Sequence, residues 1–212
     1  MTPETTSWTM LVALGAFHGI NPGMGWLFAV ALGMQERRRG AVLSALVPLG
    51  LGHALAVASA VGVALALGAV MPLTAIRWTV AGVLVGLGVL RVVSHRHPRW
   101  ARMRVSAAGL TLWSFLMATA HGAGLMVVPV FLGMTGHAAA GASCHVGGPA
   151  SGAGPAVLAT GLHALGYLAV TAVVAILVFE KLGVGLLRSR WFNLDLVWAA
   201  ALVLTGLVTV LL

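Results

Sequence analysis

Apolar residues run in long blocks along this chain, at about 8–34, 41–69, 72–94, 106–135, 155–179 and 192–212. Each block can supply the roughly 20 residues that a helix needs to cross a bilayer. The run over 41–76 is too long for one helix. Met71-Pro72 is the expected turn within it, because proline suits the first position of a new helix. The pattern predicts an all-α fold: a polytopic membrane helix bundle of six transmembrane helices. The whole chain, 1–212, is expected to form this single transmembrane domain.

Composition agrees. The chain is 60% hydrophobic and 8% charged, with a mean hydropathy of +1.03. A soluble domain carries about 25% charged residues, so the charges here cannot cover a water-facing surface. The net charge of +8 follows from topology and implies no nucleic-acid partner. Eleven of the twelve Lys and Arg fall between blocks one and two (Arg37, Arg38, Arg39), at or between the ends of three and four (Arg91, Arg96, Arg99, Arg102, Arg104), or between five and six (Lys181, Arg188, Arg190). The excess of basic residues marks the cytoplasmic side. The expected setting is therefore a cell inner membrane crossed several times, with both termini and the loop at 136–154 in the periplasm. Residues 1–7 carry no basic residue, so the first span is expected to be retained. A single cysteine, Cys144, excludes an intramolecular disulfide.

The two halves echo each other. "GAFHG" in the first block carries His18, and "ATAHG" in the fourth carries His121. "LGHAL" in the second carries His53, and "GLHAL" in the fifth carries His163. Three blocks separate equivalent elements, so residues 8–94 and 106–212 are expected to form a 3+3 inverted repeat, a common transporter architecture.

All four histidines fall well inside their blocks, and an ionisable residue there points to function. Packing through ring hydrogen bonds is the bland alternative. Around His18, the residues Gly19, Asn21, Pro22, Gly23 and Gly25 predict a broken helix. The expectation is that carbonyls freed by Pro22, with the Asn21 amide, line a small polar cavity. Gly122 repeats this logic beside His121. Neutral imidazole is a ligand for nickel, cobalt, zinc and copper. Hard cations want carboxylates, and the four acids, Glu4, Glu36, Glu180 and Asp195, all lie towards block ends. The expected substrate site is His18, His53, His121 and His163, with a cation exchanged for protons. His137, Cys144 and His145 in the outer loop form a candidate capture group, with a flexible linker as the alternative. The seven tryptophans, Trp26 among them, mostly fall near block ends, as an aromatic belt would. No nucleophile triad, phosphate loop or ATPase motif is present, so an enzyme is not expected, and no cofactor is required. The lipid bilayer is the one certain partner; assembly as a homo-oligomer stays open.

The stretch "HGINPGMGWLFAVALGMQERRRGAVLSALVPLGLGHALAV", residues 18–57, resembles the NicO/UreH-type nickel–cobalt transporters, within the LysE-like superfamily of six-span carriers. The resemblance places His18, Pro22, Gly23 and His53 on motif positions. It implies an inverted-repeat carrier for a transition-metal cation, with export as the expected direction. Where that family has a second histidine after Pro-Gly, this chain has Met24, a soft thioether, which implies either a preference shifted toward copper or a site that binds no metal. Two other functions remain open: a LysE-like exporter of an amino acid or other small solute, and a membrane accessory protein that holds metal or haem.

Overall fold

A computed structural model describes residues 3–93, 106–141, 150–182 and 194–211, and every element among them is helical. Helix α1 (Pro3–Ile20) leads through a 3₁₀ turn (Pro22–Met24) into α2 (Trp26–Glu36). The long α3 (Arg39–Gly68) and α4 (Leu73–Val93) follow, with the turn between them where Met71-Pro72 led us to expect it. The second half holds α5 (Ala107–Ala120), α6 (Ala123–Gly141), α7 (Ala150–Leu177) and α8 (Leu194–Leu211), with a π turn (Val178–Leu182) extending α7. The helices coincide with the six apolar blocks. Among the described residues, α3 and α7 are each long and apolar enough to cross a membrane, and α5 with α6, bent by 62°, would make a third span.

Among the described residues, large apolar side chains stand on the surface, and the mostly apolar interior also holds a set of polar groups. Val47, Leu51 and Leu55 on α3, Leu158 and Leu165 on α7, and Leu204 and Leu207 on α8 all face outward, exposed. His18, His53, His163 and Thr171 are fully buried. Lipid accepts the first set at no cost, while polar groups in hydrocarbon must find partners inside the bundle.

The closest helix pairs are α1 with α7, α3 with α5, and α4 with α8, while α3 and α7 meet at the centre. Small residues make these approaches. A Cβ on Gly15 would strike the carbonyl of His163, one on Gly19 would come within 2.6 Å of the Tyr167 carbonyl, and one on Gly166 would strike the Val12 carbonyl. The α1–α7 contact is therefore backbone on backbone, as a Gly-xxx-Gly face permits. Gly52 plays the same part between α3 and α5, against the Thr111 carbonyl. Ser114 of α5 then donates to the Leu49 carbonyl of α3 at 2.7 Å.

At one end of the bundle the Arg39 guanidinium pairs with Glu180 at 3.2 Å. The basic turn between α2 and α3 and the C-terminal end of α7 with Lys181 therefore share that end. Exposed pairs such as this add little stability; its value here is as a marker of orientation.

Candidate functional site: a buried histidine cluster at the helix breaks

Pro22 lacks an N–H and ends α1. Hydrogen bonds around the break engage several of the groups expected to line a cavity. The His18 carbonyl accepts from Asn21 N at 3.2 Å, and the Asn21 carbonyl accepts from Met24 N at 2.9 Å. The Ile20 carbonyl accepts from the Trp26 indole at 2.9 Å. The Met24 carbonyl accepts from the Tyr167 hydroxyl at 2.5 Å. Unpaired backbone groups are costly where water does not reach, and the chain closes these four carbonyls within itself. Asn21 is likewise a local cap: its Oδ1 accepts from Gly23 N at 2.8 Å. Trp26, expected in an aromatic belt, is buried and staples the break instead. Gly25 turns the chain into α2 with φ 126°, a conformation that suits glycine.

The break holds His18 at the end of α1, and α3 and α7 bring His53 and His163 against it. Ring centres lie 5.1 Å apart for His18 and His163, 5.3 Å for His53 and His163, and 5.6 Å for His18 and His53. Two imidazoles bound through nitrogen to one tetrahedral ion at about 2.1 Å have centres roughly 5 Å apart. The Nε2 atoms of His53 and His163 are 3.2 Å apart, close to the roughly 3.4 Å between two such ligand nitrogens. Among the described residues, however, no three His, Cys, Asp or Glu side chains present their donor atoms to one point.

His121 occupies the second break. It lies between α5 and α6, followed by Gly122 at φ 71°. The ring is nearly fully buried, and its Nε2 lies 3.8 Å from where a Cβ of Gly23 would stand. Each break thus carries a histidine, and the Pro22–Met24 turn brings the second histidine beside the first break.

The Nδ1 atoms fix how these rings are used. His18 Nδ1 lies 2.6 Å from the Leu14 carbonyl and His121 Nδ1 lies 2.8 Å from the Met117 carbonyl, each four residues back. His163 Nδ1 lies 3.2 Å from the Leu11 carbonyl across the α1–α7 contact. A carbonyl only accepts, so each Nδ1 carries the proton, and in a neutral ring the lone pair then sits on Nε2. This is the arrangement by which proteins orient histidine as a metal ligand. With the His163 lone pair on Nε2, the His53 Nε2–H donates to it. His53 Nδ1 is then the bare nitrogen, buried and without a hydrogen-bond partner.

Tyr167, which the sequence reading passed over, stacks on His53 with ring centres 3.9 Å apart and planes 8° from parallel. Its position could have been found: it lies four residues after His163, on the same helix face, and is the one tyrosine in the chain. Met24 is buried at the first break. His137 lies on the α6 backbone, while Cys144 and His145 lie outside the described residues.

Two apolar clusters enclose the histidines. One includes Leu11, Val57, Val61, Phe131 and Ala159. The other includes Trp26, Val30, Val42, Leu49 and Val178 and lies toward the Arg39–Glu180 end. On each of α3 and α7, the histidine falls between members of the two clusters. The polar centre is sealed on both sides.

No protein family, curated protein or solved structure matches this chain.

Proposed function

We propose that this protein is a six-span membrane carrier for a transition-metal cation such as nickel, cobalt, zinc or copper. In this reading the cation binds the histidine cluster and is exchanged for protons. The observation that carries it is the gathering of His18, His53 and His163 in the buried interior, with ring centres 5.1, 5.3 and 5.6 Å apart and the Nδ1 atoms of His18 and His163 against carbonyls. The soft, carboxylate-free donor set favours a late first-row ion over magnesium or calcium.

The inverted repeat of 8–94 and 106–212 belongs to the same proposal. Exchanging the two halves turns the α1–α7 contact into α5–α3 and maps α4–α8 and α3–α7 onto themselves, as a two-fold axis would. His18 and His121 also make the same bond to the carbonyl four residues back. Sealed polar centres between repeat halves suit alternating access.

The direct test is metal binding. Purified protein is expected to retain or take up one of these four ions in elemental analysis and to show saturable binding by calorimetry. Protein that takes up none of them, while remaining folded, removes the reading. Topology is tested separately by truncated reporter fusions. A fusion ending at Arg38 is expected to be cytoplasmic and one ending at Met71 periplasmic, since the arginines hold their loop inside. The opposite pattern would invert the orientation proposed here.

A further inference from the structure

The histidines lie well back from the basic end of the bundle. Glu180 stands about 25 Å beyond His163 along α7 and its π turn, at roughly 1.5 Å per residue. The second apolar cluster lies toward that end, with members from α2, α3, α5 and α7. A cation leaving the histidines this way must part it.

Three successive residues of the π turn close this end, and each is tied to α2 and α3. Val178 is buried in the cluster that holds Val30 of α2 and Val42 of α3. Phe179 lays its ring on Gly33 of α2, where a Cβ would stand 3.2 Å from the ring carbons Cδ2 and Cε2. That Cβ would also strike Val42, so a glycine is what leaves the seat open for the ring. Glu180 reaches Arg39, at the start of α3, at 3.2 Å. The Arg38–Glu36 pair is local to the turn between α2 and α3, whereas Arg39–Glu180 joins one half of the chain to the other. A π turn is rare, and often marks a functional site.

The ties differ in kind from those nearer the histidines. There α7 meets α1 backbone to backbone, with Gly15 against His163 and Gly19 against Tyr167 and Thr171. Helices packed in this way do not part easily. The contacts of the π turn are made by side chains instead: a ring on a glycine and an exposed ion pair. Such a pair adds little stability, and a latch that breaks in every cycle needs no more.

We propose that the π turn at the end of α7 is the inner gate of the carrier. Phe179 on Gly33 is its plug, and the Arg39–Glu180 pair is its latch. Lifting both opens the route from the histidine cluster to the basic end, while the α1–α7 backbone contact serves as the pivot. This rests on the carrier reading above.

The test uses the full-length protein in a Cys144→Ser background, with zinc as the cation. Val30→Cys places a thiol of similar size in the second cluster. Its reaction with a membrane-impermeant thiol reagent, in vesicles that expose the basic end, reports opening. Glu180→Gln is expected to speed that reaction about two- to fivefold, the scale of an exposed ion pair. Phe179→Ala is expected to speed it about tenfold, since the apolar contact of a half-buried ring is lost. Arg39→Glu combined with Glu180→Arg is expected to return the rate to that of the parent. With Arg39→Cys and Glu180→Cys in place of the Val30 thiol, a short bifunctional thiol crosslinker is expected to abolish zinc uptake by proteoliposomes while zinc still binds the histidines. Parent-like reactivity in both Glu180→Gln and Phe179→Ala, or undiminished uptake by the crosslinked protein, overturns the gate. If unmodified protein neither binds nor moves zinc, nickel, cobalt or copper, the carrier reading has failed instead, and the gate falls with it.

Discussion

In the proposed carrier, replacing His163 with alanine is expected to weaken cation binding by about a hundredfold or more, because one of few proposed ligands is lost outright. His163 touches both partners in the cluster. Its ring centre lies 5.1 Å from that of His18, and its Nε2 lies 3.2 Å from that of His53. The same substitution strips the Leu11 carbonyl of its cross-helix donor, which adds a stability loss of about 1–3 kcal/mol. Binding must therefore be measured well below the melting temperature, on protein with an unchanged elution profile. His18→Ala is the cleaner companion, since the carbonyl that its Nδ1 meets, that of Leu14, lies within its own helix. It is expected to match the binding loss with a smaller stability loss. His121→Ala is expected to act less on affinity and more on uptake, because His121 stands at the second break, beside Gly23 and outside the contacting trio. Full binding and uptake in both His18→Ala and His163→Ala would reduce the histidines to packing.

The apolar blocks were legible because hydrocarbon allows only one backbone solution to a long apolar segment, a helix. The histidines were legible because Arg77, Arg91 and Asp195 lie toward block ends, which leaves imidazoles, with Tyr167, as the ionisable groups deep in the blocks. The break at His18 could be read from Pro22 and its glycines. The fate of its polar groups could not. Asn21-Pro22-Gly23 is also a turn signature in which asparagine bonds the backbone two residues on, and that local use won over a role in a cavity. Trp26 resembles a belt residue in sequence because its block ends nearby; only the folded break shows the Ile20 carbonyl that its indole serves. Helix partners were hidden throughout. An apolar face can meet lipid or another helix with the same side chains, so sequence does not say that α1 meets α7 or that α3 meets α5. The position of Tyr167 was legible four residues after His163, but its stacking partner was not, since His53 arrives from another helix.

Gly15→Ala and Gly52→Ala are expected to be among the most damaging single-methyl changes in the protein. Each adds only a Cβ. At Gly15 that atom would strike the His163 carbonyl, with Tyr167 N 2.9 Å away; at Gly52 it would strike the Thr111 carbonyl, with Phe115 N 2.9 Å away. These neighbours are helix backbone, so no rotamer change relieves the overlap and the helices must part. Overpacking ordinarily costs about 1–3 kcal/mol, and a clash on rigid backbone belongs at or above the upper end. Parting α1 from α7 would also draw Leu11 from His163 Nδ1 and shift His18 relative to His163. Cation binding should therefore fall together with thermal stability. Gly62 and Gly82 supply the control. A Cβ on either meets nothing within 4 Å, and alanine favours the helix over glycine by roughly 1 kcal/mol. Gly62→Ala and Gly82→Ala are expected to leave the melting temperature in detergent unchanged or raised. If all four variants behave alike, the close approaches of α1 on α7 and α3 on α5 are wrong, and with them the contacts that bring His163 to His18.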